Sequence, residues 1–311
     1  MPAAQRNPKP VSPLGVGVPY FASVPEEVYR PGLLDFVEVT PETLCRQTKV
    51  SEGTVFHIVE EQFAMAQKRC KDLPLTVHGV ELSIGSVHRW NDAYLQLLDT
   101  VQNRWPFAWH SEHLGFQTIE GTHGDSIEVG VPLPLPPTNE SVDLVVARSR
   151  AINERYKVPF LLENPAHYLP NLPADEEIGG ETGMMAAITE RAPCFQLLDL
   201  HNVYCNQVNL GSNAFVAIDE MPLSRVLEIH IAGGSWQDGF WVDAHDGRVP
   251  EQVWELLEYT VPKAPNLAGI VFEMLEEYAV RFGIDMIVGE VERAREIWSR
   301  HREPLLSDAT P

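Results

Sequence analysis

The chain has 311 residues, 44% hydrophobic and 22% charged, with a formal net charge of −21. That is globular composition with enough length for one large core, and a field of that sign repels phosphate backbones, which argues against a nucleic-acid partner. Cys45, Cys70, Cys194 and Cys205 form no CxxC pair, so they read as reduced thiols in the cytosol. The opening MPAAQRNPKPVSP lacks the apolar core of a signal peptide, and no apolar run reaches membrane-spanning length.

In chain order, residues 1–13 read as a flexible arm. From Leu14 a short apolar run, a polar or Gly/Pro break and a helical stretch recur. The apolar runs are GVGVPY (15–20), DFVEV (35–39), LTVHGV (75–80), FAWHSEHL (107–114), PFLLEN (159–164), FQLLDLHN (195–202), VLEIHIAGG (226–234) and GIVFEML (269–275). Amphipathic segments are expected at 51–70, 90–104, 139–156, 177–191, 213–222, 250–262 and 284–301, whereas the first connection, around PEEVYR, is short. Alternating strands and helices imply a parallel sheet with crossovers. Eight such units predict an α/β fold, a closed (β/α)8 TIM barrel, as one domain over residues 14–302 with a tail at 303–311. A doubly wound sheet has similar local signals. Two insertions, Thr118–Thr138 and Tyr168–Gly180, follow strands, where barrel enzymes place site-forming loops.

Strands buried on both faces should be apolar throughout. Here most carry an ionisable residue near the C-terminal end: His78, then His110, Glu112 and His113, then Glu163, Asp199, His230 and Glu273. Burying each alone is costly, and a shared metal cluster at the barrel mouth compensates them together. In WHSEHL, His110 and Glu112 share one face and Ser111 and His113 the other, so alternation leaves the choice between the two histidines open. Asn202 is a neutral oxygen donor or a turn residue, and His201 is a ligand's partner or points away. Glu38 is a supporting group or an ion-pair partner. Glu276 and Glu277 read as solvated helix-start charges, and His57, His88, His123 and His301 as surface. His167 lies near the mouth with a weaker claim.

The stretch RVLEIHIAGGSWQDGFWVDAH (225–245) adds His230 at a strand end and then Asp243 and His245, two residues apart. In extended chain such a pair points one way. Two imidazoles and a carboxylate suit zinc or iron. The chain has no GxSxG elbow, P-loop, dinucleotide fingerprint or HExxH.

HGVELSIG, SEHL, LLENP, LLDLHNVY, EIHIAGG, the DAH pair and FEML, in this order over residues 14–300, resemble the multinuclear non-heme iron-dependent oxidases, the family of the methanobactin-biosynthesis oxidase. The resemblance implies a TIM barrel related to the xylose isomerase and endonuclease IV superfamily, holding two or three irons of mixed Fe2+/Fe3+ valence. It also decides for His113 over His110. The implied metal ligands are His78, His113, Glu163, Asp199, Asn202, His230, Asp243, His245 and Glu273, with Asp243, His245 and Glu273 catalytic. It implies O2 as co-substrate and oxidative modification of a residue, first of all Cys, in a ribosomally made precursor peptide presented by a separate partner protein. Other readings are a zinc- or manganese-dependent hydrolase or sugar isomerase on the same barrel, and a metal-binding protein without turnover.

Overall fold

Eight parallel strands close on themselves in sequence order in the computed structural model, which describes residues 11–50, 53–87, 90–120, 126–169 and 172–302. They are β1 (Gly15–Pro19), β2 (Phe36–Val39), β3 (Leu75–Gly79), β4 (His110–His113), β5 (Phe160–Glu163), β6 (Phe195–Asp199), β7 (Val226–Ile231) and β8 (Gly269–Phe272), with β8 pairing back onto β1. Each coincides with one of the eight apolar runs. Helices on the outside return the chain: α1 (Glu60–Arg69), α2 (Asp92–Arg104), α3 (Asn139–Arg155), α4 (Gly180–Arg191), α5 (Leu200–Leu210), α6 (Ala214–Glu220), α7 (Glu251–Thr260), α8 (Glu276–Phe282) and α9 (Ile284–His301). The fold is therefore a single-domain TIM barrel. Among the described residues no helix is long and apolar enough to cross a membrane.

The barrel interior has two halves of opposite character. Toward the N-terminal ends of the strands, Phe36, Trp109, Leu161, Phe195, Leu197 and Val271 form an apolar plug. Glycine makes room for it: a Cβ on Gly17 would lie 2.9 Å from the Phe36 ring, and one on Gly269 3.0 Å from it. The strand ends above the plug are polar. A second apolar layer fills the space between strands and helices, so a residue such as His78 or Asp199 is walled in on every side but the mouth.

Two expected elements change. The helix expected over 51–70 is, where described, the end of an antiparallel hairpin (Cys45–Val50 with Gly53–Ile58) followed by α1 alone. The run Thr-Val-Phe-His-Ile is β-branched and aromatic, and cross-strand pairing wins over helical spacing. The strand expected over 195–202 stops at Asp199, and α5, unexpected from the sequence, begins at the next residue. Asp199 caps it by accepting from the Asn202 N–H at 2.6 Å. Gly211, at φ 75°, ends it. Two more hairpins, Gly115–Glu120 with Ser126–Pro134 and Ser235–Gln237 with Phe240–Val242, follow β4 and β7, so they add to the mouth side of the barrel.

The side chain of Asn164 extends the β5–β6 pairing past the last residue of β5. Its Oδ1 accepts from the Asp199 N–H at 2.9 Å, and its Nδ2 donates to the Asp199 carbonyl at 3.0 Å. Asn164→Ala removes both bonds in a fully buried place, and unfolding should become easier by about 2–4 kcal/mol. Urea titration should show a lower midpoint with an unchanged slope; an unchanged midpoint would mean that the amide carries none of the pairing.

Candidate metal centre

The residues singled out at the strand ends come together. His78 and His113 approach Glu163 from neighbouring strands, each with Nε2 3.3 Å from Glu163 Oε2. Their rings lie 4.7 Å apart, and the His230 ring is 5.2 Å from that of His78. His230 Nδ1 is 3.0 Å from Glu273 Oε2, and its Nε2 is 3.6 Å from Glu38 Oε1. His245 Nε2 lies 3.0 Å from Asp243 Oδ1 and 3.7 Å from Glu273 Oε2. Asn202, in the first turn of α5, donates from Nδ2 to Glu163 Oε1 at 3.2 Å and to the Asn164 carbonyl at 3.1 Å. Three overlapping groups have donor atoms close enough together to share a cation: His78 with His113 and Glu163, Glu163 with Asp199 and His230, and Glu38 with His230 and Glu273.

Hydrogen bonding fixes which face each imidazole offers. Ser111 Oγ donates to the Val77 carbonyl at 3.2 Å, so its 3.0 Å contact with His78 Nδ1 needs the proton on Nδ1. The Gly79 carbonyl, 3.4 Å from His113 Nδ1, can only accept. Assigned in this way, both Nε2 atoms present lone pairs to one carboxylate oxygen. One proton on Glu163 could serve only one of them, and Oε2 makes no hydrogen bond to either. Asp199 Oδ2, Asn202 Oδ1, both His230 ring nitrogens and His245 Nε2 are likewise buried without a hydrogen bond. Around Glu163 Oε2, lone pairs turned toward one another in a buried space are repulsive, and a cation between them reverses the sign; His230 and His245 instead face the carboxylates of Glu273 and Asp243, each at 3.0 Å, in charge-compatible pairs. The donor set therefore fits metal ions.

The other face of β4 carries a separate pair. His110 Nε2 lies 3.0 Å from Glu112 Oε1, and the His110 ring packs near Phe107, Tyr156 and Phe160. Glu38, read from sequence as a supporting group or ion-pair partner, sits among the candidate donors. His201 is 2.7 Å from Asp243 Oδ1. His167 pairs with Glu181 at 2.9 Å, away from these groups. His57 is exposed, His301 pairs with Glu258 at 2.6 Å, and Glu276 and Glu277 start α8 in solvent; His88 and His123 lie outside the described residues. Trp241 and Tyr168 escaped sequence reasoning. The Trp241 indole N–H donates to His201 Nε2 at 3.0 Å, and the Asp243 N–H donates to the Tyr168 hydroxyl at 3.0 Å. Neither carries a periodic or motif signal.

Burial, reinforced by Asp199 and Glu273, holds the Glu163 carboxyl well above its ordinary range; burial with Asp243 and Glu273 does the same to Asp199. Burial opposes a charge on His245, but Asp243 and Glu273 outweigh it and push its pKa up to about 10. His78 is pushed down by burial, then by His113 and His230.

A TIM barrel whose C-terminal mouth gathers buried imidazoles and carboxylates from separate strands is the class that fold and site define. The chain matches the model of the RiPP precursor modification enzyme family MbnB/TglH/ChrH over residues 15–299, and it belongs to that family. A UPF0276 protein of Caulobacter vibrioides is 30% identical over 294 residues, covering 94% of this chain and 96% of the relative. A UPF0276 protein of an Anaeromyxobacter species is 32% identical over 248 residues, covering 80% and 83%. Among solved structures the fold is similar to that of the IOLI protein with a binding zinc atom, with TM-score 0.54, 12% identity, and 93% of this chain and 99% of that one covered.

Burial raises the proton affinity of Glu163 and Asp199, and Asp243 and Glu273 raise that of His245, so a bound cation competes with protons at all three. Affinity for a divalent cation should therefore rise as pH rises and fall as pH falls, with net proton release. Calorimetric titration in buffers of different ionisation enthalpy reads that release directly; uptake without proton exchange would contradict this account of the site.

Proposed function

We propose that the chain is an O2-dependent multinuclear non-heme iron oxidase that modifies a residue, first of all Cys, of a ribosomally made precursor peptide. The family assignment supports peptide modification. The observation that carries the metal reading is the sharing of Glu163 and His230 between overlapping donor groups. Shared ligands suit several cations held close together, and mixed imidazole and carboxylate donors suit iron.

In this reading His78, His113, Glu163, Asp199, Asn202, His230, Asp243, His245 and Glu273 hold two or three irons. When bound, mixed-valent iron supplies redox electrons and open positions for dioxygen and a thiolate. The chain's own residues do the rest. The side chains of His113, Asp243 and His245 keep 24%, 22% and 18% of their surface exposed, whereas those of His78, Glu163 and His230 keep 6% or less. The peptide therefore approaches from the side of His113, Asp243 and His245; Asp243 and His245, with Glu273, are the catalytic candidates. The apolar plug of Phe36, Trp109, Leu161 and Val271 beneath them keeps water from the other side. The acidic surface favours a basic peptide or a basic partner protein that delivers it, and both would meet the enzyme in the cytosol.

A second reading, a zinc- or manganese-dependent hydrolase or isomerase, has one observation in its favour: the IOLI barrel it resembles binds zinc. Such an enzyme would act through a metal-bound water of lowered pKa.

Protein purified without oxygen should carry about two to three irons per chain and consume O2 with its peptide. Zinc alone, with no O2 uptake and turnover of a phosphodiester or sugar, would favour the second reading instead. His230→Ala and Asp199→Ala should each leave the barrel folded by circular dichroism. Their loss of iron and rate should exceed the roughly 10- to 100-fold cost of losing an outer-shell partner. Either variant with full iron and full rate would remove that residue from the ligand set.

A further inference from the structure

We infer that His201 is a positioning residue that fixes Asp243 for the metal centre, and that Trp241 sets the tautomer in which it does so. The inference rests on the metal reading above and concerns residues outside the nine ligand positions.

His201 is fully buried in the first turn of α5. Its ring makes two directed hydrogen bonds. An indole nitrogen can only donate, so Trp241 Nε1–H at 3.0 Å requires a lone pair on His201 Nε2. The ring proton then lies on Nδ1, where Asp243 Oδ1 accepts it at 2.7 Å. The Cys205 sulfur, 3.9 Å from Nδ1, is a far weaker neighbour. A symmetric arrangement is impossible: the other tautomer would set an N–H against the indole N–H and a lone pair against a carboxylate.

The surroundings hold this line of groups rigid. Asn209, two turns along α5, clamps the Trp241 backbone, donating to its carbonyl and accepting from its N–H at 2.8 Å each. Gly234 supplies the space: a Cβ there would lie 2.8 Å from the His201 ring and 2.3 Å from the Val242 carbonyl. Gly234, the second of the paired glycines after β7, thus clears a seat for the imidazole. The Tyr168 hydroxyl accepts from the Asp243 N–H, so backbone and side chain of Asp243 are both tethered. One carboxylate lone pair is committed to His201, which limits rotation of Asp243 and aims its remaining acceptor capacity at His245, whose Nε2 lies 3.0 Å from Asp243 Oδ1. Outer-shell partners of this kind typically change metal affinity 10- to 100-fold.

The test uses the full chain with Co2+ as a spectroscopic probe, and imidazole 15N NMR of the metal-stripped protein. NMR should find His201 protonated on Nδ1 and bare on Nε2, its signals assigned by their loss in His201→Asn. His201→Phe should bind Co2+ at least about tenfold more weakly and change its visible spectrum. His201→Asn, which keeps an N–H at the δ position, should recover most of the affinity. Trp241→Phe, which frees the tautomer, should fall between the two. If His201→Phe does not fold, Trp241→Phe and the NMR tautomer decide the matter. Wild-type affinity and spectrum in His201→Phe or in Trp241→Phe, or an Nε2-protonated His201, would overturn the inference while leaving the metal centre intact. A wild-type chain that takes up no Co2+ would instead sink the metal reading, with the NMR tautomer still reporting on the Trp241–His201 pair.

Discussion

The structure depends on a repulsion that the folded chain tolerates. Two imidazole lone pairs face one oxygen of Glu163, and Asp199 Oδ2 and Asn202 Oδ1 add further buried acceptors without hydrogen bonds. Uncompensated polar groups in such a place each cost on the order of kilocalories. A fold carries several together only where something outside the chain neutralises them. The remaining geometry follows from the need to hold these groups against one another until that happens.

The barrel meets the need by construction. Parallel strands in consecutive order end at one rim, so residues far apart in the chain become neighbours: Asp199 pairs in register with His230, and His113 with Glu163. The apolar plug below prevents the polar ends from sinking into the interior, and the helices prevent escape sideways. The wall is also sorted by alternation. On β4, Ser111 and His113 serve the mouth while His110 and Glu112 face the outer layer, where they satisfy each other at 3.0 Å.

Sequence showed the strand half of this arrangement well. An ionisable residue ending an apolar run is a strong signal because the alternative, a lone buried charge, is so unfavourable; His78, Glu163, Asp199, His230 and Glu273 were all legible on that ground. Alternation separated the faces of β4 without saying which looked inward, because both carry a histidine. The helix half was harder. α5 was hidden because FQLLDLHN runs from strand to helix without a break, and Asp199 serves at once as the last strand residue and as the cap. Trp241 and Tyr168 were invisible for a different reason. Their role arises from where a hairpin and a loop fold back onto α5, and neither spacing nor composition encodes that contact.

This division gives the site two parts of unequal stiffness. His78, Glu163, Asp199 and His230 stand on or at the ends of hydrogen-bonded barrel strands and move only if the barrel does. Asp243 and His245 stand on a loop, and His245 adopts φ 50°, a left-handed conformation that costs a non-glycine residue some energy. What keeps that loop in place is a set of contacts from outside the barrel wall: His201 and Tyr168 on Asp243, Asn209 on Trp241, and the His245 carbonyl accepting from the Leu275 N–H at 3.4 Å. Trp236, largely exposed, rests edge-on against Trp241 at 5.8 Å between ring centroids, so pressure on the hairpin surface reaches Asp243 through two rings. The half of the site that is open to solvent is thus also the half whose geometry is set by contacts from outside the barrel wall. That is the half that substitution can retune without disturbing the strand ends.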